Sequence, residues 1–474
     1  MARRRPARNV GLGVFALAMI NVAAVISARN LPLMAEYGWS MLALYGLAIV
    51  AFLIPISLAI SELGTAWPGD GGLYAWVREA FGGRTGFLAV WAEYAQNIVW
   101  YPTALSFMAA SFAYVIDPDL ATNKVFLIVV MLTFFWGITL ANLPGVSMSA
   151  AIGTVGTIAG SILPAALVVL LGVLFLAQGH HSEIPFSGHA LVPEIQVNNL
   201  AFLGGIILTF TGMEMAGFHA RETPNPGRDI PRSIALAFAV IVLFSVLGSL
   251  FLAFVVPQKE LSLVSGTMQL FKSVLDKLSV GWLLKPLAFV VAAGGVAHLA
   301  PWILGPPKGV AAVARDGYAP PRLARTNANN VPVALLIIEA IGGTLFTLLF
   351  LVIPDVSTSY WMLSAVTSQI IIVMYVLMFG AVIRLRYSQP DRVRPYRIPG
   401  GMFGVWVAAG VGLVGCLFSF YLGFIPPSQL KTGNHTVYVL LLVGAVVVLS
   451  LPPFLYQAWQ RLRGQGPQLA PATL

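Results

Sequence analysis

Charge is scarce in this chain. Only 9% of its 474 residues are Asp, Glu, Lys or Arg, where soluble proteins carry about 25%. That is too little to cover a soluble surface and excludes a freely soluble enzyme of this length. Cysteine is nearly absent. Cys416 stands alone in an apolar run, so there is no internal disulfide and no thiolate metal site, and a buried, inert thiol is expected. His180-His181, with Glu183 and His189 as possible co-ligands, lacks zinc spacing, so no metal is expected. No Walker loop, HExxH or nucleophile elbow occurs. No cofactor is implied, and nucleotide-driven work would require another subunit. An intramembrane enzyme would need clustered carboxylates or His/Asp pairs, yet Glu93 and Glu214 stand isolated. No filter-like sequence suggests a channel.

What is present is apolar sequence: 58% hydrophobic residues and a mean hydropathy of +0.84. The chain therefore reads as an all-α polytopic membrane protein. Runs of about 20 apolar residues, the length that crosses a bilayer, predict twelve transmembrane helices. They cover 10–30, 40–62, 86–115, 124–143, 150–178, 197–219, 233–257, 282–314, 331–354, 358–386, 403–425 and 436–460. The basic start MARRRPARNV leads into a retained first span rather than a removed signal. With the N-terminus in the cytoplasm, 20 of the 27 basic residues lie on the cytoplasmic side. The positive-inside rule then places both tails, 1–9 and 461–474, in the cytoplasm. It also accounts for the net charge of +9 without a nucleic-acid partner.

Residues 200–234, LAFLGGIILTFTGMEMAGFHARETPNPGRDIPRSI, hold the strongest local signal. A lone carboxylate, Glu214, follows Thr211 and Gly212 inside an apolar helix. A charge at that depth costs about 2.5–3.5 kcal/mol on insertion scales, and a broken helix is tolerated there only against protein or a cavity. The first span carries a weaker polar patch, Asn21-Val22-Ala23-Ala24-Val25-Ile26-Ser27. Each patch is followed by another span and then an amphipathic stretch, Asp70–Arg84 or Ser262–Leu278. An offset of five spans makes the copies inverted. Residues 10–178 and 197–386 are thus expected to form inverted five-helix repeats with broken helices 1 and 6, and 403–460 to supply two extra helices. Such repeats bind substrate at the midplane, as secondary transporters do.

The stretch ELGTAWPGDGGLYAWVREAFGGRTGF (62–87) resembles a pattern of the amino acid–polyamine–organocation permeases. So do ETPNPGRDIPRSI (222–234), PWILGPPKG (301–309) with Ala314-Arg315-Asp316-Gly317, and YRIPGG (396–401). The NPGRD and PWILGPPKG segments are most similar to bacterial glutamate/γ-aminobutyrate antiporters. The resemblance implies a LeuT-like fold in the bacterial inner membrane. It also implies amino acid exchange by a monomer or homodimer, with a proton-coupled amino acid or amine symporter as the alternative.

For an amino acid, amides of Val22, Ala23, Ala24 and Val25 beside Asn21 would receive the carboxylate, and carbonyls near Thr209–Thr211 the ammonium. Ala23 and Ala24 otherwise serve tight helix packing. Phe210 is an aromatic lid by resemblance, or ordinary packing; Gly212 permits the break. Trp302 matches an aromatic of the antiporters' substrate pathway. Glu214 is a proton carrier, a latch, or a satisfied buried carboxyl. Glu93 is a second proton candidate and shares a helical face with Gln96, Asn97 and Trp100, either lining the pathway or bonding between helices. His298 titrates near neutrality or is a neutral packing histidine. Tyr360, Trp361, Ser364, Thr367, Ser368 and Tyr375 form a polar-aromatic stripe whose first two members are also candidates for an interfacial belt. Glu339 reads as a structural pair member. An acidic substrate would want a cation, and the spans offer little beyond His298 and Arg29.

Overall fold

The computed structural model describes residues 12–68, 72–193, 200–218, 223–430 and 432–464. The expected N-terminal tail, residues 465–474 of the C-terminal one, Arg221 and Glu222, and the start of the expected sixth span lie outside these residues.

Among the described residues, ten helices are long and apolar enough to cross a membrane: α3 (Gly38–Ala66), α5 (Gly83–Ile116), α6 (Lys124–Ala141), α7 (Val146–Ala177), α10 (Pro226–Val255), α12 (Gly281–Arg315), α13 (Val333–Val352), α14 (Val356–Ser388), α15 (Gly401–Gly423) and α16 (His435–Leu462). An eleventh is a bent pair, α1 (Val14–Val25) with α2 (Ala28–Ala35), turning by 42°. Two short helices, α8 (Leu203–Thr209) and α9 (Met215–Phe218), flank an unwound segment at 210–214. The two amphipathic stretches are helices α4 (Gly72–Phe81) and α11 (Gly266–Lys277).

The first span differs from the expected 10–30. It runs on to Ala35, because its polar patch interrupts the helix without ending it. Ala23 and Ala24 are strong helix formers, so α1 persists through Val25. The backbone extends only at Ile26 and Ser27. Pro32 carries no N–H for the Ala28 carbonyl, which accepts instead from the Leu31 amide and from Thr267 Oγ1 at 2.8 Å. Arg29, which the 10–30 boundary assigns to an external end, thus sits inside the span and is 4% exposed.

The long α5 packs along α14 and α12, and α1 lies against α10 and α9. Close crossings use glycine: a Cβ on Gly160 would come within 2.1 Å of the Gly295 backbone, which holds α7 on α12. The last two helices are tied to the rest by side chains. Trp361 donates to Tyr438 Oη at 3.0 Å, and Tyr438 donates to the Gly423 carbonyl at 3.2 Å. Trp361 and Tyr360 are therefore buried in the bundle, and the interfacial-belt reading does not hold for them. Apolar side chains such as Val129, Val155, Leu345, Val414 and Val448 remain on the outside, as a lipid-facing surface requires.

One end of the bundle carries most of the described arginines. There Glu62, at the end of α3, is bound by Arg386 (Nε to Oε1 2.5 Å, Nη2 to Oε2 2.6 Å) and approached by Arg394 Nε at 3.3 Å. The Ile398 amide adds a bond of 2.9 Å to Oε2. Arg394 also caps the carbonyls of Leu385 and Gln389, and Arg392 and Arg394 both lie over Trp67. The segment after α14 is thereby fastened to the end of α3. At the same end, Arg78 and Tyr74 of α4 both bond Asp316 beyond α12. Burial and the neighbouring Asp316 carboxylate hold the Tyr74 hydroxyl above its ordinary range.

Candidate functional site

The second break lies against the last turn of α1, next to the first break. Gly212 has φ +103° and lies against Ala24: a Cβ there would stand 3.1 Å from Ala24 Cβ. Only glycine adopts that backbone cheaply and leaves room for the neighbour. Glu214 turns back into the break, accepting from the Gly212 amide at 3.2 Å and from Tyr375 Oη of α14 at 3.2 Å. It is buried and lines neither cavity described below. The carboxylate thereby joins the unwound segment to α14. Tyr360, a second member of the α14 stripe, donates to the Arg29 carbonyl at 3.4 Å.

Beside the breaks is a small cavity with both polar and apolar walls. Ala24, Val25, Ser27, Arg29 and Asn30 line it from the first span, Thr211 from the second break, Gln96, Asn97 and Trp100 from α5, and His298 and Trp302 from α12. A wider cavity adjoins it through Ala24, His298 and Trp302. It runs past Glu93 and Ala23 toward Tyr74 and Ala312 at the arginine-rich end. Glu93 has no hydrogen-bond or ion-pair partner among the described residues.

The polar face of α5 is thus split between the cavities. Gln96 donates to Asn97 Oδ1 at 2.8 Å, and Trp100 packs on Trp302 with ring centroids 5.8 Å apart. His298 Nδ1 lies 2.9 Å from Thr157 Oγ1. Glu339 lies away from both cavities and accepts from Tyr101 at 2.9 Å, while the same hydroxyl reaches the Trp302 carbonyl.

Other expected site residues lie elsewhere. Asn21 and Val22 are buried on the far side of α1, and Ser364 is buried in α14; none lines either cavity. Phe210 is buried against Tyr45 of α3, at 6.2 Å between centroids, rather than over the cavity. The amides of Val22 to Val25 belong to α1. The backbone that leaves helical pairing is Ser27 to Arg29, ahead of the Asn30 amide's 3.2 Å bond to the Ser27 carbonyl.

Arg29 is the residue that sequence reasoning undervalued. Its Nη1 donates to Thr103 Oγ1 at 2.7 Å, and its guanidinium lies 5.3 Å from the Trp100 ring centre. No carboxylate pairs with it among the described residues. The available signal was an arginine only two residues past the Asn21–Ser27 patch, followed closely by Pro32, which marks a break rather than a span end.

Transmembrane helices, a broken span and a cavity beside two chain breaks define a multi-pass membrane transporter. Residues 12–447 match the amino acid permease family, and the chain belongs to it. An uncharacterized transporter of Legionella pneumophila is 36% identical over 94% of this chain and 96% of its own length. A glutamate/gamma-aminobutyrate antiporter of Lactococcus lactis is 29% identical over 94% of this chain and 90% of its own. A probable agmatine/putrescine antiporter of the same species is 26% identical over 92% and 93%. The protein is a transporter with small-molecule substrates, not an enzyme.

Proposed function

We propose that the chain exchanges amino acids of the glutamate/γ-aminobutyrate type by alternating access. The observation that carries this reading is the meeting of Ala24 and Gly212 beside a cavity lined from both breaks; the glutamate/γ-aminobutyrate antiporter among the relatives supports it. In this reading α8 and α9 form a sixth span. The architecture is then twelve spans, an inverted five-plus-five repeat followed by α15 and α16. Both termini face the cytoplasm of a bacterial cell, across its inner membrane. The wide cavity faces the cytoplasm too, so the conformation is inward-facing. The outer side is closed by α2, held through Thr103, Thr267 and Tyr360. The backbone freed at Ser27–Arg29 and the carbonyl end of α8 meet the two ends of the amino acid. The switch is driven by substrate binding the two states unequally.

Counterflow in proteoliposomes tests this. Vesicles are preloaded with unlabelled glutamate, γ-aminobutyrate or a neutral amino acid, and entry of labelled amino acid is followed. Entry that requires an internal partner is expected. Entry into empty vesicles under an imposed proton gradient would replace exchange by proton symport, with the unpartnered Glu93 as the first carrier to substitute.

A further inference from the structure

We infer that Arg29 is the specificity residue for substrate, holding the carboxylate farthest from the carbon that glutamate loses on α-decarboxylation. The inference rests on the amino acid exchange proposed above and adds which substrate group is read, and by what.

Arg29 lies inside a membrane span, 4% exposed and lining the central cavity. A guanidinium presents five N–H donors and stays charged. Here one side-chain hydrogen bond is made, to Thr103, and one face is covered by Trp100. A buried charge without a counter-charge is costly. Elsewhere in this molecule the buried Arg394 and the half-buried Arg386 are neutralised by Glu62. Arg29 instead lines a cavity that Thr211, His298 and Trp302 also line. Planar, two-point recognition of a carboxylate is the chemistry a guanidinium does best, and Lys does not reproduce it.

The chemistry of the substrate pair narrows the assignment. Glutamate has an α-carboxylate and a γ-carboxylate. Removing the α-carboxylate as carbon dioxide, with a proton taking its place on carbon, gives γ-aminobutyrate, which keeps the amine and the γ-carboxylate. A cavity that exchanges the two must bind what they share. Arg29 supplies the cation for the shared carboxylate, so the α-carboxylate is tolerated rather than required. Diamines such as putrescine have no group for Arg29 and place a like charge beside it.

The test uses the whole chain in proteoliposomes and compares ligands with a γ-carboxylate (glutamate, γ-aminobutyrate) to ligands without one (glutamine, α-aminobutyrate, putrescine). Half-saturating concentrations in counterflow and ligand-induced shifts in thermal stability are both read. Wild type is expected to favour the first group. Arg29→Gln should weaken glutamate and γ-aminobutyrate together, by about a hundredfold as for loss of one partner of a buried charge pair, and leave glutamine within a few-fold. Arg29→Lys should recover only part of the loss. A wild type that exchanges neutral amino acids or diamines equally well overturns the assignment, as does an Arg29→Gln protein with unchanged preference for glutamate over glutamine. Loss of all ligands by both variants, with thermal stability intact, would also overturn it, since Arg29 would then not discriminate. Absence of exchange by wild type with every ligand defeats the proposed function itself, and is thereby distinguished.

Discussion

Two buried arginine sites in this protein differ in one respect. At the end of α3, Arg386 and Arg394 converge on Glu62, and every oxygen of that carboxylate is engaged. At the central cavity, Arg29 has a hydroxyl and an aromatic face but no carboxylate among the described residues. Both sites are removed from water, so both carry a desolvation cost. The first recovers it inside the fold; the second can recover it only from something that enters the cavity. A paired cluster fastens helices together, and an unpaired charge in a cavity receives a ligand.

This contrast is broken most directly by removing one member of each site. Glu62→Ala leaves two buried guanidiniums facing each other and should cost about 3–5 kcal/mol, seen as a large drop in Tm or loss of monodisperse protein on extraction. Arg29→Gln removes a charge that nothing neutralises, so its Tm should equal or exceed that of wild type. An equal fall in Tm for both variants would make Arg29 structural and end the distinction. Arg386→Met in the Glu62→Ala background should cost much less than it does alone, because the pair is already lost.

Smaller effects sharpen the picture of the breaks. Gly212→Ala forces a side chain into φ +103° against Ala24 and should cost about 1–3 kcal/mol, while Gly410→Ala, with open space around it, should be neutral. Transport measured beside Tm shows whether the strain falls on the moving element. Tyr375→Phe removes a hydrogen bond from Glu214 and should cost about 1 kcal/mol and slow exchange without changing ligand preference. The smallest effect belongs to Glu36, in the connection ahead of α3. Burial pushes its carboxyl up to about 7 from 4.5. Its raised pKa in the folded state means that its contribution is full below pH 4.5 and fades as pH rises through 7. Tm should therefore fall by roughly one or two degrees across that window, and Glu36→Gln should flatten the slope.

The helices were legible because their signals are local. Apolar run lengths placed most span ends within a few residues, and the amphipathic stretches at 72–81 and 266–277 were visible as pattern. The site was half legible. Trp302, Gln96, Asn97, His298 and Ala24 do come together around a cavity. Asn21 and Phe210 do not, because a helix residue's direction depends on rotation about its axis, which neighbours set. Glu62 was read only as the start of a motif, since its partners lie more than 300 residues away.

Composition and sequence order alone determined that this chain lives in a bilayer, that it is helical, and that polar patches at Asn21–Ser27 and near Gly212 interrupt it, because chain solvation and backbone conformation are properties of neighbouring residues. The structure set the first break at Ile26 and Ser27 rather than at Ala23-Ala24. Tertiary structure decided which charges are satisfied. Arg29 meets Thr103 and Trp100, Glu214 meets Tyr375, and Glu62 meets Arg386. Each of these meetings joins segments distant in the chain, and in a medium without water their presence or absence settles where a ligand can bind.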